Sequence, residues 1–261
     1  MMTNTPSQSR IALVTGASRR IGIGTAICRA LAAQGMVVAF TYWQPYDAQM
    51  DWGADQDAPA LLTSELQAMG VHCLALEADL SQPDAPATLL NQVEEQLGAI
   101  SVLVNNATYS TTGDYEQLDA QSLDAHYAVN IRGTFLLSVE FARRFQAGHG
   151  GRIINMTSGQ SLGPMQSELA YASTKGAVEA FTLSLAAGVA KRGITVNAVD
   201  PGPTDTGWMN PELKAILSQR TPSGRVGLPE DAAKLIGFLA SEASEWVTGQ
   251  IIHSNGGFGW A

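Results

Sequence analysis

A tyrosine and a lysine four residues apart form the pair in this sequence best suited to acid–base chemistry. Tyr171 and Lys175 would lie on one face of a helix, because residues four apart are neighbours there. The ammonium would then stabilise a developing phenolate and lower the tyrosine pKa from its usual value of about 10. The same spacing is common on exposed helix surfaces, so these two residues alone leave a surface role open.

A serine strengthens the functional interpretation of that pair. Ser158 follows the apolar run 153–157 and precedes Tyr171 by 13 positions. In an open parallel sheet, ligands bind at the carboxyl ends of the strands. Ser158 is therefore a candidate partner of Tyr171 at one end of a sheet.

The elements that must hold these side chains are indicated by apolar runs that alternate with helical patterns such as 25–34 and 118–146. Seven runs have the length of buried strands: 11–15, 36–43, 71–76, 101–105, 152–157, 194–199 and 250–253. Strands that are apolar on both faces and separated by helices are typical of a parallel sheet covered on both sides. We predict a doubly wound α/β fold of about seven strands, in one domain spanning residues 1–261.

Three segments lack a regular pattern. Residues 1–9 form a polar N-terminal tail, residues 44–59 are aromatic and acidic, and residues 204–229 are rich in Pro, Gly and Ser. We predict loops for the last two. The second of them is expected to be the substrate loop.

Composition excludes several classes of partner. The formal net charge is -9, and only 15% of residues are charged, so nucleic acid and anionic membranes would repel the chain. No apolar stretch has the roughly 18 residues that a membrane span needs, and no signal peptide is indicated. Cys28 and Cys73 lie in hydrophobic runs without ligand-like spacing, which favours reduced thiols in a cytoplasmic protein.

Metal and hydrolase chemistry find little support. The histidines are scattered without a metal-ligand spacing: His72, His126, His149 and His253. The acidic residues from Asp47 to Asp57 lack the calcium-loop pattern with its terminal glutamate. No GxSxG motif surrounds Ser158, so nucleophilic acyl transfer is a poor hypothesis.

A glycine-rich turn joins the first strand to the first helix. Gly16 would allow a tight turn, while Gly22 and Gly24 would let the backbone approach a pyrophosphate and let the helix pack on the sheet. This strand–turn–helix context is the one that dinucleotide binding requires. A simple helix-capping turn is the alternative.

From about residue 10 to residue 258, the sequence resembles the short-chain dehydrogenase/reductase family, including members similar to 3-oxoacyl-acyl-carrier-protein reductase. The family pattern TGxxxGxG fits when Arg20-Ile21 is a two-residue insertion before Gly22-Ile23-Gly24. Asn105-Asn106-Ala107 matches the family's NNAG motif, with Thr108 in place of glycine. The resemblance implies a Rossmann-type fold, an oxidoreductase activity and a homotetramer.

The resemblance also implies a role for each residue of an Asn-Ser-Tyr-Lys tetrad. Tyr171 would protonate a carbonyl oxygen during reduction or accept the hydroxyl proton during oxidation, and Ser158 would hydrogen-bond that oxygen. Lys175 would hold the nicotinamide ribose and tune the tyrosine. Asn130 would anchor a water relay, and the cofactor would supply the hydride.

Other candidate positions come from the same resemblance. Residues expected to bind the cofactor are Gly16, Ser18, Arg19, Arg20, Gly22, Ile23, Gly24, Tyr42, Asp79, Leu80, Asn106, Ala107, Tyr171, Lys175, Pro201, Gly202, Thr204 and Thr206. Residues expected to line the substrate pocket are Thr108, Tyr109, Gln160, Glu168, Pro203 and Trp208. Asp79 would contact the adenine, although an Asx turn or helix cap is an equal alternative.

The sequence favours NADP(H) over NAD(H). Relatives selective for NAD carry an acid at the end of the second strand, where this chain has Tyr42. Arg19 and Arg20 lie close to where NADP-selective relatives carry a basic residue that binds the phosphate. The alternative is that both arginines face solvent, with Asp47 folding back to bind a ribose and favour NAD.

Two other functions remain to be compared with carbonyl reduction. The lengthened glycine turn resembles the enoyl reductase branch, but that branch places its lysine further beyond the tyrosine, where this chain has Val178. A nucleotide-binding regulatory protein on the same fold would have no need of the complete tetrad. We therefore expect an enzyme that acts on a small carbonyl or alcohol substrate.

Overall fold

A computed structural model of the protein describes residues 9–259, so all of the predicted polar tail except Ser9 lies outside the described residues. Its strands form one parallel sheet in the order β3-β2-β1-β4-β5-β6-β7. The strands are β1 (Ile11–Val14), β2 (Val37–Tyr42), β3 (Cys73–Glu77), β4 (Val102–Asn105), β5 (Gly151–Met156), β6 (Ile194–Asp200) and β7 (Ile251–His253). All seven predicted strands are confirmed, and the fold is Rossmann-type.

The strand order reverses at β1, which pairs with β2 on one side and β4 on the other. A crevice opens at such a point, outside the carboxyl ends of the strands. The strands β1, β4, β5 and β6 are buried at every residue. This burial explains why they are continuous apolar runs rather than alternating ones.

Helices cover both faces of the sheet and bury alternate strand residues. The helices are α1 (Ile23–Ala32), α2 (Gln44–Asp47), α3 (Ala58–Ala68), α4 (Ala85–Leu97), α5 (Ala120–His126), α6 (Thr134–Arg144), α7 (Leu169–Val189), α8 (Pro211–Arg220) and α9 (Pro229–Ala240). On one face α1, α3 and α9 pack over Ala12 and Val14. On the other, α4, α6 and α7 pack over Ile11 and Leu13.

Three predictions about local structure are corrected. The segment 44–59 contains α2 and the start of α3, and the segment 204–229 contains α8. In both segments a proline stands in the first turn of a helix, where its missing N–H is no cost. Asn210 also caps α8 by accepting a hydrogen bond from the Leu213 N–H at 2.8 Å.

The third correction concerns the helical pattern 118–146. Between α5 and α6 the chain forms a π-helical segment, Tyr127–Gly133. Such segments are rare and are frequent at functional sites. Within residues 9–259, no helix has the length and apolar character needed to cross a bilayer.

Candidate active site

Tyr171 and Ser158 meet at the carboxyl end of β5. Ser158 lies two residues beyond the strand in extended conformation, and Tyr171 lies in the first turn of α7. Burial raises the pKa of the Tyr171 phenol well above its usual range, while the nearby Ser158 side chain acts in the opposite direction.

Lys175 lies one helical turn beyond Tyr171, as predicted. Its buried Nζ donates a hydrogen bond to the Met156 carbonyl at 2.9 Å and lies 5.3 Å from the centre of the Tyr171 ring. Burial lowers the pKa of Lys175 to about 8. The predicted net lowering of the Tyr171 pKa is wrong in this structure, because the desolvation of the phenol outweighs the groups that favour phenolate.

Asn130 lies in the middle of the π-helical segment and is buried. Its Oδ1 accepts from the Tyr109 N–H at 2.7 Å, and its Nδ2 donates to the Tyr109 carbonyl at 2.8 Å. The same Nδ2 donates to Thr174 Oγ1 at 3.0 Å, and Thr108 Oγ1 donates to Asn130 Oδ1 at 3.1 Å. Asn130 thus joins the loop after β4 to α7, beside Lys175.

The glycine turn has no room for side chains at two positions. A Cβ at Gly16, where φ is +77°, would lie 2.6 Å from the Ala107 Cα. A Cβ at Gly24 would lie 2.4 Å from the Gly16 carbonyl oxygen and 2.7 Å from Asn106 Nδ2. Gly22 caps α1, which begins at Ile23, so the geometry fits a dinucleotide pyrophosphate at the start of this helix.

The residues beside the turn fix its shape. Asn106 Nδ2 donates to the Thr15 and Gly16 carbonyls at 2.9 Å each. The Thr15 hydroxyl accepts the N–H groups of Asn106 and Ala107. Ser18 Oγ accepts the Trp43 N–H at 3.0 Å, which ties the turn to the end of β2.

The two arginines of the turn do not act side by side. The Arg19 guanidinium lies 4.6 Å from the centre of the Trp52 ring and donates to the Thr206 carbonyl. Arg20 lies 3.8 Å from Glu65, which also binds Arg29 at 2.7 Å. The positive charge of Arg20 is therefore partly neutralised, whereas that of Arg19 is held on an aromatic face.

A cavity of about 590 Å³ adjoins both arginines. It is lined by Arg19, Arg20, Ile21, Arg29, Trp52, Gly53 and Asp55. Three of these are arginines, so the cavity is suited to an anion. Arg29 and Trp52 were not predicted from the sequence, because only the fold brings α1 and the segment after α2 to the glycine turn.

Tyr42 and Asp47 lie at and just beyond the end of β2. Tyr42 is the last residue of β2, as expected, and pairs in register with Glu77 of β3. Asp47 is buried and accepts a hydrogen bond from Trp52 Nε1 at 3.0 Å. Its carboxylate is thus bound within the protein rather than extended towards a ribose.

Asp79 and Leu80 follow β3. Asp79 accepts from the Ser81 N–H and from Gln82 Nε2, both at 2.9 Å, which is the Asx turn considered as the alternative to an adenine contact. Leu80 is buried in the core beneath α4 and α6. Its carbonyl would lie 2.8 Å from a Cβ at Gly133.

The loop after β6 is held from inside. At Gly202, where φ is +62°, a Cβ would lie 2.4 Å from the Asn255 Cβ. The Gly202 N–H donates to Asp200 Oδ1 at 2.9 Å. Thr204 Oγ1 donates to the Pro201 carbonyl at 3.1 Å. Thr206 accepts from Arg19, so this loop reaches across to the glycine turn.

The candidate substrate residues do not all face the same way. The Pro203 carbonyl accepts the Gly227 N–H, and Trp208 Nε1 donates to the Thr204 carbonyl at 2.9 Å. Gln160 Nε2 donates to Thr157 Oγ1 at 3.4 Å, whose hydroxyl points to α7. Glu168 lies close enough to Tyr171 to raise the pKa of its phenol.

Two groups near Tyr171 were not predicted from the sequence. They are Tyr46, on α2, and the buried Asp200, at the end of β6, whose negative charge raises the Tyr171 pKa. Asp200 Oδ2 lies 2.8 Å from His253 Nδ1. Tyr46 was hidden in a segment without periodicity. Within residues 9–259, no cluster of His, Cys, Asp and Glu could hold a metal ion.

The known proteins that are similar to this chain in sequence are described as oxidoreductases or reductases, which agrees with the geometry of the site. A family model described as enoyl-(acyl carrier protein) reductase matches residues 16–259. The chain is 54% identical over 254 residues to "Uncharacterized oxidoreductase YjdA" of Bacillus subtilis (strain 168), covering 97% of this chain and 98% of the relative. It is 36% identical to "NADPH-dependent aldehyde reductase-like protein, chloroplastic" of Arabidopsis thaliana, covering 97% of this chain and 95% of the relative.

A solved structure is also similar to this chain along nearly its whole length. The blue fluorescent protein from a metagenomic library, in complex with NADPH, superposes with a TM-score of 0.85 at 32% identity, covering 95% of this chain and 97% of that one. Relatives of this similarity span almost the whole length of the chain. The protein therefore belongs to the short-chain dehydrogenase/reductase family, whose enzymes act on CH–OH or carbonyl groups with NAD(P).

Proposed function

We propose that the protein reduces a carbonyl group to a secondary alcohol with NADPH, or catalyses the reverse reaction, with Tyr171 as the general acid or base. The observation that carries this proposal is the placement of the Tyr171 phenol beside the Ser158 side chain and the buried Lys175 ammonium, whose Nζ lies 5.3 Å from the centre of the Tyr171 ring. These groups lie at the carboxyl end of β5, next to the crevice where the strand order reverses.

The residues divide the reaction between them. When bound, NADPH supplies the hydride, with its electron pair, to the carbonyl carbon. Tyr171 gives its phenolic proton to the carbonyl oxygen as the C–H bond forms, and Ser158 donates a hydrogen bond to that oxygen. Lys175 favours the resulting phenolate and holds the nicotinamide ribose, while Asn130 anchors the water that returns the proton.

The crowded glycine turn supports dinucleotide binding. Gly16 and Gly24 leave the backbone bare where a Cβ would clash, and the N-terminus of α1 faces the same place. Ser18, Gly22, Ile23, Asn106 and Ala107 complete this side of the nucleotide site. Pro201, Gly202, Thr204 and Thr206 would cover its nicotinamide end.

Two features support NADP(H) over NAD(H). Tyr42, rather than an acid, ends β2, so no carboxylate there repels a 2'-phosphate. Arg19 lines a cavity together with Arg20 and Arg29, where a 2'-phosphate would find positive charge. The Arabidopsis relative is described as NADPH-dependent. We assign the main phosphate contact to Arg19, with a smaller contribution from Arg20, because Glu65 binds Arg20.

Carbonyl reduction fits the site better than enoyl reduction. The lysine in this chain is one turn beyond Tyr171, and the later position is occupied by Val178, which is buried in α7.

We further infer a cytoplasmic homotetramer. Exposed apolar side chains support the assembly: Leu136, Leu183 and Phe238 on helices, and Trp246 in a turn beyond α9. Light scattering of the purified protein measures its mass directly.

The test is NADPH and NADH consumption with a panel of aldehydes and ketones, for the wild type and for Tyr171→Phe. Turnover that prefers NADPH and is lost in the variant supports the proposal. Binding of NADPH without turnover on any carbonyl would instead favour a nucleotide-binding regulatory protein. A preference for NADH would overturn the cofactor assignment.

A further inference from the structure

A carboxylate near Tyr171, that of Glu168, is not used by the proposed reaction. Glu168 precedes α7 and is half-buried. Hydrogen bonds of the neighbouring backbone fix its position, from the Gly113 N–H to the Ser167 carbonyl at 2.7 Å and from the Leu169 N–H to the Gly113 carbonyl at 3.3 Å. Among the residues that the structure describes, the Glu168 side chain has no partner, and burial raises its pKa.

An aromatic wall, formed by Tyr46, Tyr109 and His126, includes one ring that lies near Tyr171, that of Tyr46. The Tyr46 and Tyr109 ring centres are 5.4 Å apart, and Tyr109 meets His126 edge-on at 4.9 Å. The Tyr46 hydroxyl donates to the Ser110 carbonyl at 3.0 Å. Asn130 binds both backbone groups of Tyr109, so the wall is fixed to the catalytic machinery.

The basic side chains near Tyr171 and Glu168 already have other hydrogen-bond or aromatic partners. Lys175 donates to the Met156 carbonyl, and Arg19 lies between Trp52 and the Thr206 carbonyl. His126 is held between the Ser122 carbonyl and the Thr111 N–H, which suits a neutral ring. Asp200, the other acid near Tyr171, is already bound by His253 and by the Gly202 N–H.

We propose that Glu168 selects a carbonyl substrate that carries a hydroxyl group, by accepting a hydrogen bond from it, and rejects substrates that carry a carboxylate. This inference rests on the proposed carbonyl reductase function and names the class of substrate. A half-buried carboxylate without a partner favours a ligand that donates a hydrogen bond. The same charge repels an anion, and among residues 9–259 no free cation nearby offsets it.

The test uses three small ketones that differ in one group: hydroxyacetone, its methyl analogue butanone, and the carboxylate acetoacetate. We expect kcat/KM to fall in that order, with about ten-fold or more between the first and the second. Glu168→Gln should lose most of the preference for hydroxyacetone and improve turnover of acetoacetate. Glu95→Gln, an exposed site on α4, is the matched control and should keep the wild-type order.

The outcomes separate the two proposals. Wild-type protein that reduces butanone and hydroxyacetone equally well, or a Glu168→Gln variant with unchanged selectivity, would overturn the role of Glu168 and leave carbonyl reduction standing. Wild-type protein that reduces none of these ketones and no other carbonyl would instead contradict the proposed function itself.

Discussion

The reaction end and the phosphate end of the crevice are built in different ways. Tyr171 and Lys175 lie in the regular helix α7, and Ser158 lies two residues beyond the end of the buried strand β5. Arg19 comes from an irregular turn, and side-chain contacts with Trp52 and Thr206 hold it in place. In the proposed function, a strand end and a helix therefore hold the reacting groups, while an irregular turn holds the residue assigned to the 2'-phosphate.

The largest effect should come from the proton donor at the reaction end. Tyr171→Phe keeps the ring above Lys175 but removes the group placed to protonate the carbonyl oxygen, so kcat should fall by about 10² to 10⁴. The NADPH dissociation constant, measured by calorimetry, should stay nearly unchanged. Tyr115→Phe, at an exposed tyrosine, is the control. A Tyr171→Phe variant with more than half of the wild-type turnover would show that the mechanism is wrong.

Lys175 should affect both cofactor binding and the rate of the reaction. Lys175→Met removes the ammonium near the ribose site and the phenol, so we expect weaker NADPH binding together with a rate loss of about one decade or more. Without the positive charge the pKa of Tyr171 rises, so the pH at which alcohol oxidation gains activity should move upward. An active variant with an unchanged pH profile would show that Lys175 does not control the pKa of Tyr171.

Folding stability gives an independent test of how deeply Lys175 is buried. Its pKa is about 8 in the folded protein, against 10.5 for a lysine in water, so the unfolded chain binds more protons between these values. The free energy of unfolding should therefore rise with pH through this window, by up to about 3 kcal/mol. Lys175→Met should remove that rise. Equal slopes for both proteins in urea denaturation would contradict the burial of a charged lysine.

A smaller effect is expected at the phosphate end. Arg19→Ala should weaken NADPH binding by about one to two decades, the value of one charge-assisted hydrogen bond, and should weaken NADH binding much less. Arg20→Ala should have a weaker effect of the same sign, since Glu65 already binds Arg20. Arg143→Ala, on the exposed face of α6, is the control. Equal losses for both nucleotides in calorimetric titration would place the phosphate elsewhere.

The same contrast explains what the sequence could predict. The spacing of Ser158, Tyr171 and Lys175 survives folding because a strand end and a helix have fixed geometry, and the apolar runs identify the strands through their burial. Tyr46 and Trp52 could not be predicted in this way. Their segment has no period, and their contacts with Tyr109 and Arg19 depend on parts of the chain far away in sequence.

The central claim is that Tyr171 and Ser158 direct the hydride to a carbonyl carbon, and an unsaturated ketone tests it most directly. Cyclohexenone is reduced with NADPH that carries deuterium on the transferring face of the nicotinamide, and the product is analysed by NMR. We expect deuterium on the carbon that bears the new hydroxyl group, with the double bond intact. Deuterium on the β-carbon of a saturated ketone would contradict the account and favour enoyl reduction.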